Sequence, residues 1–300
     1  MKNKLFNKFR QFIDIRHEAI MLSQGKVLCM QQTLIDSEDI HDYEFKIFSQ
    51  RGEDGIIQYL IKNIDIKNKT FIEFGVENYH ESNTRFLMMN NNWRGYIIDG
   101  SQKNINAVKN NYWFWQYDLQ VKAAFIDKDN INPLMKESKL AVGGGIGLIS
   151  IDIDGNDYWV MKNMDFAYFN PDILIVEYNA LFGEKRAITI PYDRYFYRTK
   201  AHYSNLYFGA SLKALTIEAN IKGYALVGCC TAGTNAFFVR KDLLNDKIKE
   251  QSVEQAFQQT LCRQSRNKNH NLNYLRGEEQ LQVIQGMDVV NVETGGIEKL

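Results

Sequence analysis

Short β-rich apolar runs alternate with stretches of helical length from Thr70 onward, and this alternation limits the possible folds more than any other feature. The runs are TFIEFGV (70–76), GYIIDGS (95–101), AAFID (123–127), GLISIDID (147–154), DILIVEYN (172–179), YALVGCC (224–230) and AFFVRKD (236–242). Between the first five lie segments 81–91, 102–110, 129–138 and 157–164, each long enough for a crossover helix. Alternating strands and helices predict a parallel, doubly wound α/β sheet. Only TAGTN joins the last two runs, too short for a crossover, so they are expected to close the sheet as an antiparallel hairpin. The predicted core is therefore a seven-stranded, mostly parallel sheet.

Three further segments surround it. Residues 1–47 read as an N-terminal helical extension. In residues 48–242, the main domain, apolar positions 56, 57, 60, 61 and 64 form a helical stripe ahead of the first strand. Residues 180–205, rich in Tyr, Phe and Arg, follow the carboxyl end of the fifth strand, where ligands bind in open α/β sheets, and are read as a substrate lid. Residues 243–300 form a polar C-terminal extension, expected to contribute to the substrate site or to an oligomer interface. With 45% hydrophobic residues the chain can bury a sizeable core. Lys+Arg and Asp+Glu are both 36, so the basic excess of a general nucleic-acid binder is missing.

Cys29, Cys229, Cys230 and Cys262 show no CxxC spacing and read as free thiols. No apolar run reaches the roughly 18 residues that would span a bilayer, and no secretory h-region is visible; a cytoplasmic protein is expected. Leu5, Phe6, Phe9, Phe12 and Ile13 recur at helical spacing among Lys2, Lys4, Lys8 and Arg10. Such a basic amphipathic helix can dock on its own domain, a membrane or a partner, including a second copy.

The candidate ligand site begins at the end of the first run. Gly75 lets backbone approach a ligand closely, but no GxGxxG follows, so a pyrophosphate cradle is not expected. Glu73 and Glu77 suit a ligand that carries positive charge. Asp99, ending the second run, can accept both hydroxyls of a ribose. Asp127, ending the third, can reach an adenine amino group or cap the next helix.

SQRGEDGII, FIEFGV, ESNTRFL, GYIIDGS, SIDIDGNDYW, IVEYNALFG, SNLYFGASLKAL and GTNAFFVR, spread over roughly residues 48–242, together resemble the FkbM-like S-adenosylmethionine (SAM) methyltransferases and related proteins of bacterial polysaccharide gene clusters. The resemblance implies a Rossmann-type SAM-methyltransferase fold. It implies that Gln50, Glu73, Gly75, Asn83, Asp99 and Ser101, with Gly100 between the last two, surround SAM. It also implies a sugar, nucleotide-activated sugar or other capsule precursor as acceptor. Where the family commonly reads IDVEG, this chain reads Ile151-Asp152-Ile153-Asp154-Gly155. An acidic pair is kept, but the family's catalytic roles do not carry over.

Asp152 and Asp154, two apart on a strand, point to one face, and the neighbouring fifth strand ends in Glu177, Tyr178 and Asn179. Asp154, Glu177 and Asn179 form a hard-oxygen set suited to Mg²⁺ or Mn²⁺, which would hold an acceptor oxygen and lower its pKa. Without metal, Asp152 or Asp154 serves as general base or orients His202 of the lid. The stretch CRQSRNKNHNLNYLR (262–276), with Arg263 and Arg266, and Arg186, Arg194 and Arg198 of the lid can clamp an anionic acceptor. Two other readings remain. DIDGND is similar to the nucleophile loop of haloacid-dehalogenase-type phosphatases, although the strands before it are then unexplained. A Rossmann module that binds a nucleotide or a partner without turnover is the other.

Overall fold

The computed structural model describes the backbone of residues 2–140 and 145–300, with side chains from residue 12 onward. A 30-residue helix, α1 (Lys2–Gln31), leads through two short 3-10 turns into α2 (Glu53–Asn63). Strands and helices then alternate: β1 (Thr70–Phe74), α3 (Arg85–Asn91), β2 (Arg94–Asp99), α4 (Gln102–Lys109), β3 (Leu119–Ala123), α5 (Ile131–Lys136) and β4 (Leu148–Ile151). Next come α6 (Asp157–Asn163), α7 (Phe166–Phe169), β5 (Ile173–Glu177), β6 (Ile188–Thr189), α8 (Arg198–Ala201) and α9 (Leu212–Ile221). The hairpin β7 (Tyr224–Cys229) and β8 (Asn235–Arg240) closes the sheet. Then α10 (Val253–Ala256), α11 (Gly277–Ile284), β9 (Asp288–Asn291) and β10 (Ile297–Lys299) complete the chain.

The large sheet has the order β3-β2-β1-β4-β5-β8-β7. All neighbours are parallel except β8, which runs antiparallel to both β5 and β7. The expected layout is therefore the observed one. The central strands β1 and β4 are buried along their whole length, as parallel strands covered on both faces must be. Alternation divides their side chains between two cores. Phe71, Leu148 and Ile173 pack with α2, through Ile56, Ile57 and Leu60. Ile72, Phe74, Ile149 and Ile151 pack with α5, α6 and α9 on the other face.

The third strand is displaced from its expected place. Pairing with β2 uses Leu119–Ala123 and ends with Asp99 opposite Ala123. The more apolar run 123–127 lies beyond the strand end. An edge strand with half-exposed residues, as here, carries a weak apolar signal, whereas the residues that follow it line a cavity.

Helix α1 docks on its own domain through Met21, Leu22 and Leu28, packed around Phe86 and Ile47. Arg85, 1% exposed, donates to Glu18 at 2.6 Å, and Tyr112 donates to the other oxygen of Glu18 at 2.8 Å. The amphipathic face drawn by Leu5, Phe6 and Phe9 lies outside the residues whose side chains are described; Phe12 and Ile13 are exposed. Among the described residues no helix is long and apolar enough to cross a membrane.

The expected lid is not a free flap. Its strand β6 pairs antiparallel with β9, making a second sheet of order β10-β9-β6. Phe182, Ile188, Ile190, Leu206, Tyr207, Ile284 and Val289 form a small separate core beneath it. The lid and the C-terminal extension thus fold together, above the carboxyl edge of the large sheet.

Candidate functional site

At that edge a cavity of about 370 Å³ opens between the ends of β1 to β4 and the lid. Its floor includes Gly75, Asp99 and Asp152, its side wall Phe125 and Ile126, and its roof Phe196, Tyr197 and Arg198. Gly75 has a φ of +73°, and a Cβ there would overlap the carbonyl oxygen of Asp152. Both facts require glycine, and they bring the β1 turn against the end of β4. Asp99 holds the next turn: one carboxylate oxygen accepts from the backbone N–H of Glu77 at 2.8 Å, the other from Ser101 N–H at 2.8 Å and Asn104 at 3.0 Å. Glu77 and Gly100 also line the cavity.

The other residues expected at this site take structural roles. Glu73 accepts from the backbone N–H of Asn83 (2.8 Å), that of Thr84 (3.1 Å) and the Thr84 hydroxyl. It thereby braces the turn into α3, and burial pushes its pKa up to about 7. Asn83 is buried and donates to Ser150 Oγ. Ser101 caps α4. Gln50 lies exposed on the loop before α2, away from the cavity walls. The loop around it is held instead by Asp54, which accepts from the N–H groups of Ile47, Phe48 and Ser49 at 2.7–2.8 Å. The SQRGEDG motif thus shapes the scaffold under the site. Asp127, four residues past the end of β3, caps the turn into α5 through Asp129 and Asn130 N–H and pairs with Arg194 at 2.9 Å. Its neighbours Phe125 and Ile126 face the cavity in its place.

The acids after β4 divide. Asp157 is fully buried and accepts from Ile153 and Gly155 N–H at 2.8 and 2.9 Å, fixing the loop in which Asp154 adopts φ +57°. Gly155 lies directly beneath the ring of Phe196, where a Cβ would overlap it. Asp154 turns outward, its side chain 60% exposed, to pair with Arg198 at 2.6 Å. Asp152 turns inward toward Glu177 of β5, with carboxylate oxygens of the two within 4.8 Å. Burial raises the pKa of both well above the ordinary carboxylate range; the neighbouring charges of Asp154 and Asp157 raise both further, and that of Asp152 also raises Glu177. Carboxylates this close titrate as a unit rather than independently. Glu177 Oε2 is buried with no partner among the described residues.

The metal set expected from the sequence does not come together. Asn179 donates to the carbonyls of Leu206 and Phe208 and accepts from Leu181 N–H, so its amide pins the chain after the lid. The acids that do converge are Asp152, Asp157 and Glu177, with ligand-type oxygens within 4.8 Å of one another. Each oxygen of Asp157 already accepts one backbone N–H, so Asp152 and Glu177 keep the most free lone pairs, and a hard cation held here would take most of its oxygens from water or ligand. His202, expected as a base, bonds Ser204 through Nδ1 at 2.7 Å. It stands outside the cavity, and burial lowers its pKa.

The seven strands in this order, with the antiparallel strand second from the edge, make the sheet of the SAM-dependent methyltransferase fold. No family model and no curated protein matches the chain. Solved structures overlap it weakly. One is a SAM-dependent methyltransferase from Clostridium acetobutylicum, 10% identical over 62% of this chain and 89% of its own, with a TM-score of 0.39. Another is TrmK of M. capricolum with S-adenosylhomocysteine (SAH), 14% identical over 67% and 72%, with a TM-score of 0.36. A third is the O-methyltransferase of Bacillus cereus with SAH, 16% identical over 55% and 68%, with a TM-score of 0.32. The strand order, not these overlaps, assigns the fold.

Several cavity residues carry no sequence signal of their own. The lid closes on two strand ends by three specific contacts: Arg194 to Asp127 and the Tyr197 ring 5.5 Å from that of Phe125, both after β3, and Arg198 to Asp154 after β4. Arg198 also stacks over Phe208 at 3.6 Å and donates through Nε to the carbonyl of Asn205, and its buried Nη2 has no partner among the described residues. Asn205 and Gln264 complete the wall. Gln264 comes from the C-terminal extension, far along the chain from every strand end, and no spacing rule points to it.

Proposed function

We propose that this protein is a SAM-dependent methyltransferase that methylates a hydroxyl oxygen, with Asp152 and Glu177 as its proton-accepting pair. The observation that carries the reading is the close pair of acids formed by Asp152, at the floor of a cavity built on Gly75, Asp99 and the end of β3, and Glu177, whose buried Oε2 has no partner among the described residues. SAM, when bound, supplies a methyl group on a positive sulfonium to an incoming nucleophile. The chain's own residues do the rest. Asp99 faces the cavity beside Glu77 with lone pairs left over for ribose hydroxyls, and Phe125 and Ile126 offer apolar walls to a flat base. The lid, latched by Arg194 and Arg198, keeps water out. Positioning supplies most of the acceleration for such a transfer, and the carboxylate pair takes up the proton that the acceptor hydroxyl must lose. A sugar or nucleotide-activated sugar of polysaccharide assembly, the acceptor class implied by the FkbM-like motifs, offers hydroxyls of this kind.

The experiment is methyl transfer from labelled SAM to a panel of sugars and sugar phosphates, comparing the unaltered chain with Glu177→Gln. Transfer by the former and a loss of about 10²–10⁴-fold in kcat in the latter are expected. Equal turnover by both would overturn the assignment of the pair. The metal-assisted alternative predicts loss with EDTA and recovery with Mg²⁺; because the Asn179 amide is held by backbone groups and Asp154 turns outward to Arg198, EDTA is expected to leave the rate unchanged.

A further inference from the structure

A second, larger space lies along the same edge of the sheet. It is a groove of about 1120 Å³ between the start of the lid (Ala180–Arg186), the segment Phe257–Arg263 and the start of α11. Its size exceeds that of an ordinary small-ligand pocket. Between groove and cavity lies a small space, the neck, of about 20 Å³ lined by Glu177, Leu206, Phe208, Cys262, Gln264 and Gln280, among others. Cys262 and Gln280 belong to both groove and neck, and Gln264 to both neck and cavity. Glu177, with its partnerless buried oxygen, therefore faces the neck, while Asp152 faces the cavity.

The groove is cationic in a chain whose net charge is zero. Lys185, Arg186, Arg263 and Arg276 line it against Glu184 and Glu278. Arg186 is held by Glu298 at 2.9 Å, whereas Lys185, Arg263 and Arg276 have no carboxylate partner among the described residues. Arg51 adds a guanidinium at the neck, 3.5 Å from Cys262 Sγ. The other arginines considered for this role are engaged elsewhere: Arg194 with Asp127, Arg198 with Asp154, and Arg266 with the carbonyl of His270.

We propose that this groove is the acceptor site, and that it takes an elongated acceptor whose phosphate or carboxylate sits on Lys185, Arg263 and Arg276 while a hydroxyl reaches Glu177 through the neck. The assignment of the groove to an acceptor rests on the methyltransferase reading; its affinity for anions does not. Paired guanidinium groups free of internal carboxylates are the side chains best suited to bind phosphate or carboxylate in a forked geometry.

The test is calorimetric titration of the full chain with inorganic pyrophosphate and, separately, with citrate, for the unaltered protein and for the double variant Arg263→Glu, Arg276→Glu. At least one probe is expected to bind, and the tighter one tells phosphate from carboxylate. In the double variant its affinity falls at least about tenfold, while SAH affinity stays the same. Arg266→Glu, outside the groove, leaves both unchanged. Alkylation of Cys262 in the unaltered chain gives a readout that no variant's folding can spoil, and the bound probe should slow it several-fold. Absence of binding, equal affinity in the double variant, or no protection of Cys262 overturns the anion site. If the probe binds as described and SAH does not bind, the anion site stands and the methyltransferase reading, with the groove's role as acceptor site, falls.

Discussion

Gly75 and the Asp152–Glu177 pair concentrate the demands of the site at single residues. Gly75→Ala forces a side chain at φ +73° against the Asp152 carbonyl. A stability loss of at least about 2 kcal/mol in chemical denaturation is expected, and a neutral result would mean that the turn is free to move. For the pair, the sign of the pH effect follows from the direction of the shift. Both carboxyls are raised by burial and by neighbouring acids, so at low pH both are protonated and neither can accept a proton. The rate therefore rises with pH until the pair loses a proton, and Glu177→Gln should flatten that limb of the kcat profile. A profile falling over the same range would contradict the role of the pair. The acids were legible in the sequence as a group, because strand ends collect ligands in parallel sheets. Their division of labour was not. Asp157 against Asp152, or Glu73 against Asp99, differ in which backbone N–H groups point at them, and spacing alone does not encode that.

At the scale of elements, the alternation of runs made six of the seven strands of the large sheet and the crossover helices legible in place. Continuous apolar runs mark strands buried on both faces. The exception was β3, an edge strand whose half-exposed residues gave way to the more apolar residues just past its end. The lid was legible as a long insertion at a carboxyl edge, but its pairing with β9 was not, since a two-residue strand carries no pattern. The lid's latch to β3 and β4 depends on Arg194 and Arg198. Replacing both by Ala should speed proteolytic cleavage within residues 191–200 several-fold without shifting the global unfolding midpoint by more than a few degrees. Ion pairs whose cation stands in solvent, as Arg194 does, add little to global stability. Unchanged cleavage would show that β6 alone holds the lid.

The whole molecule joins two units that need each other: a SAM-methyltransferase sheet, and a small lid-and-tail assembly with its own core. Removing residues 288–300 deletes β9 and β10, strips β6 of its partner and uncovers Ile188, Ile190 and Ile284. Such a truncated chain is expected to keep the α/β far-ultraviolet signature, expose apolar surface to a hydrophobic dye and lose the closed cavity. A truncated chain that binds no more dye than the full one would contradict the coupling. The basic stretch 262–276 and Arg186 of the lid were legible in the sequence as a possible anion clamp, but which of the arginines face one groove was not, because Arg194, Arg198 and Arg266 are taken up elsewhere. The central claim is that the cavity over Gly75 and Asp99 holds the methyl donor. Calorimetric titration of the full chain with SAH tests it most directly. One-to-one binding that weakens at least about tenfold in Asp99→Ala is predicted, as expected for loss of a charged hydrogen-bond acceptor. No binding of SAH by the unaltered chain, or equal binding by both, would contradict it.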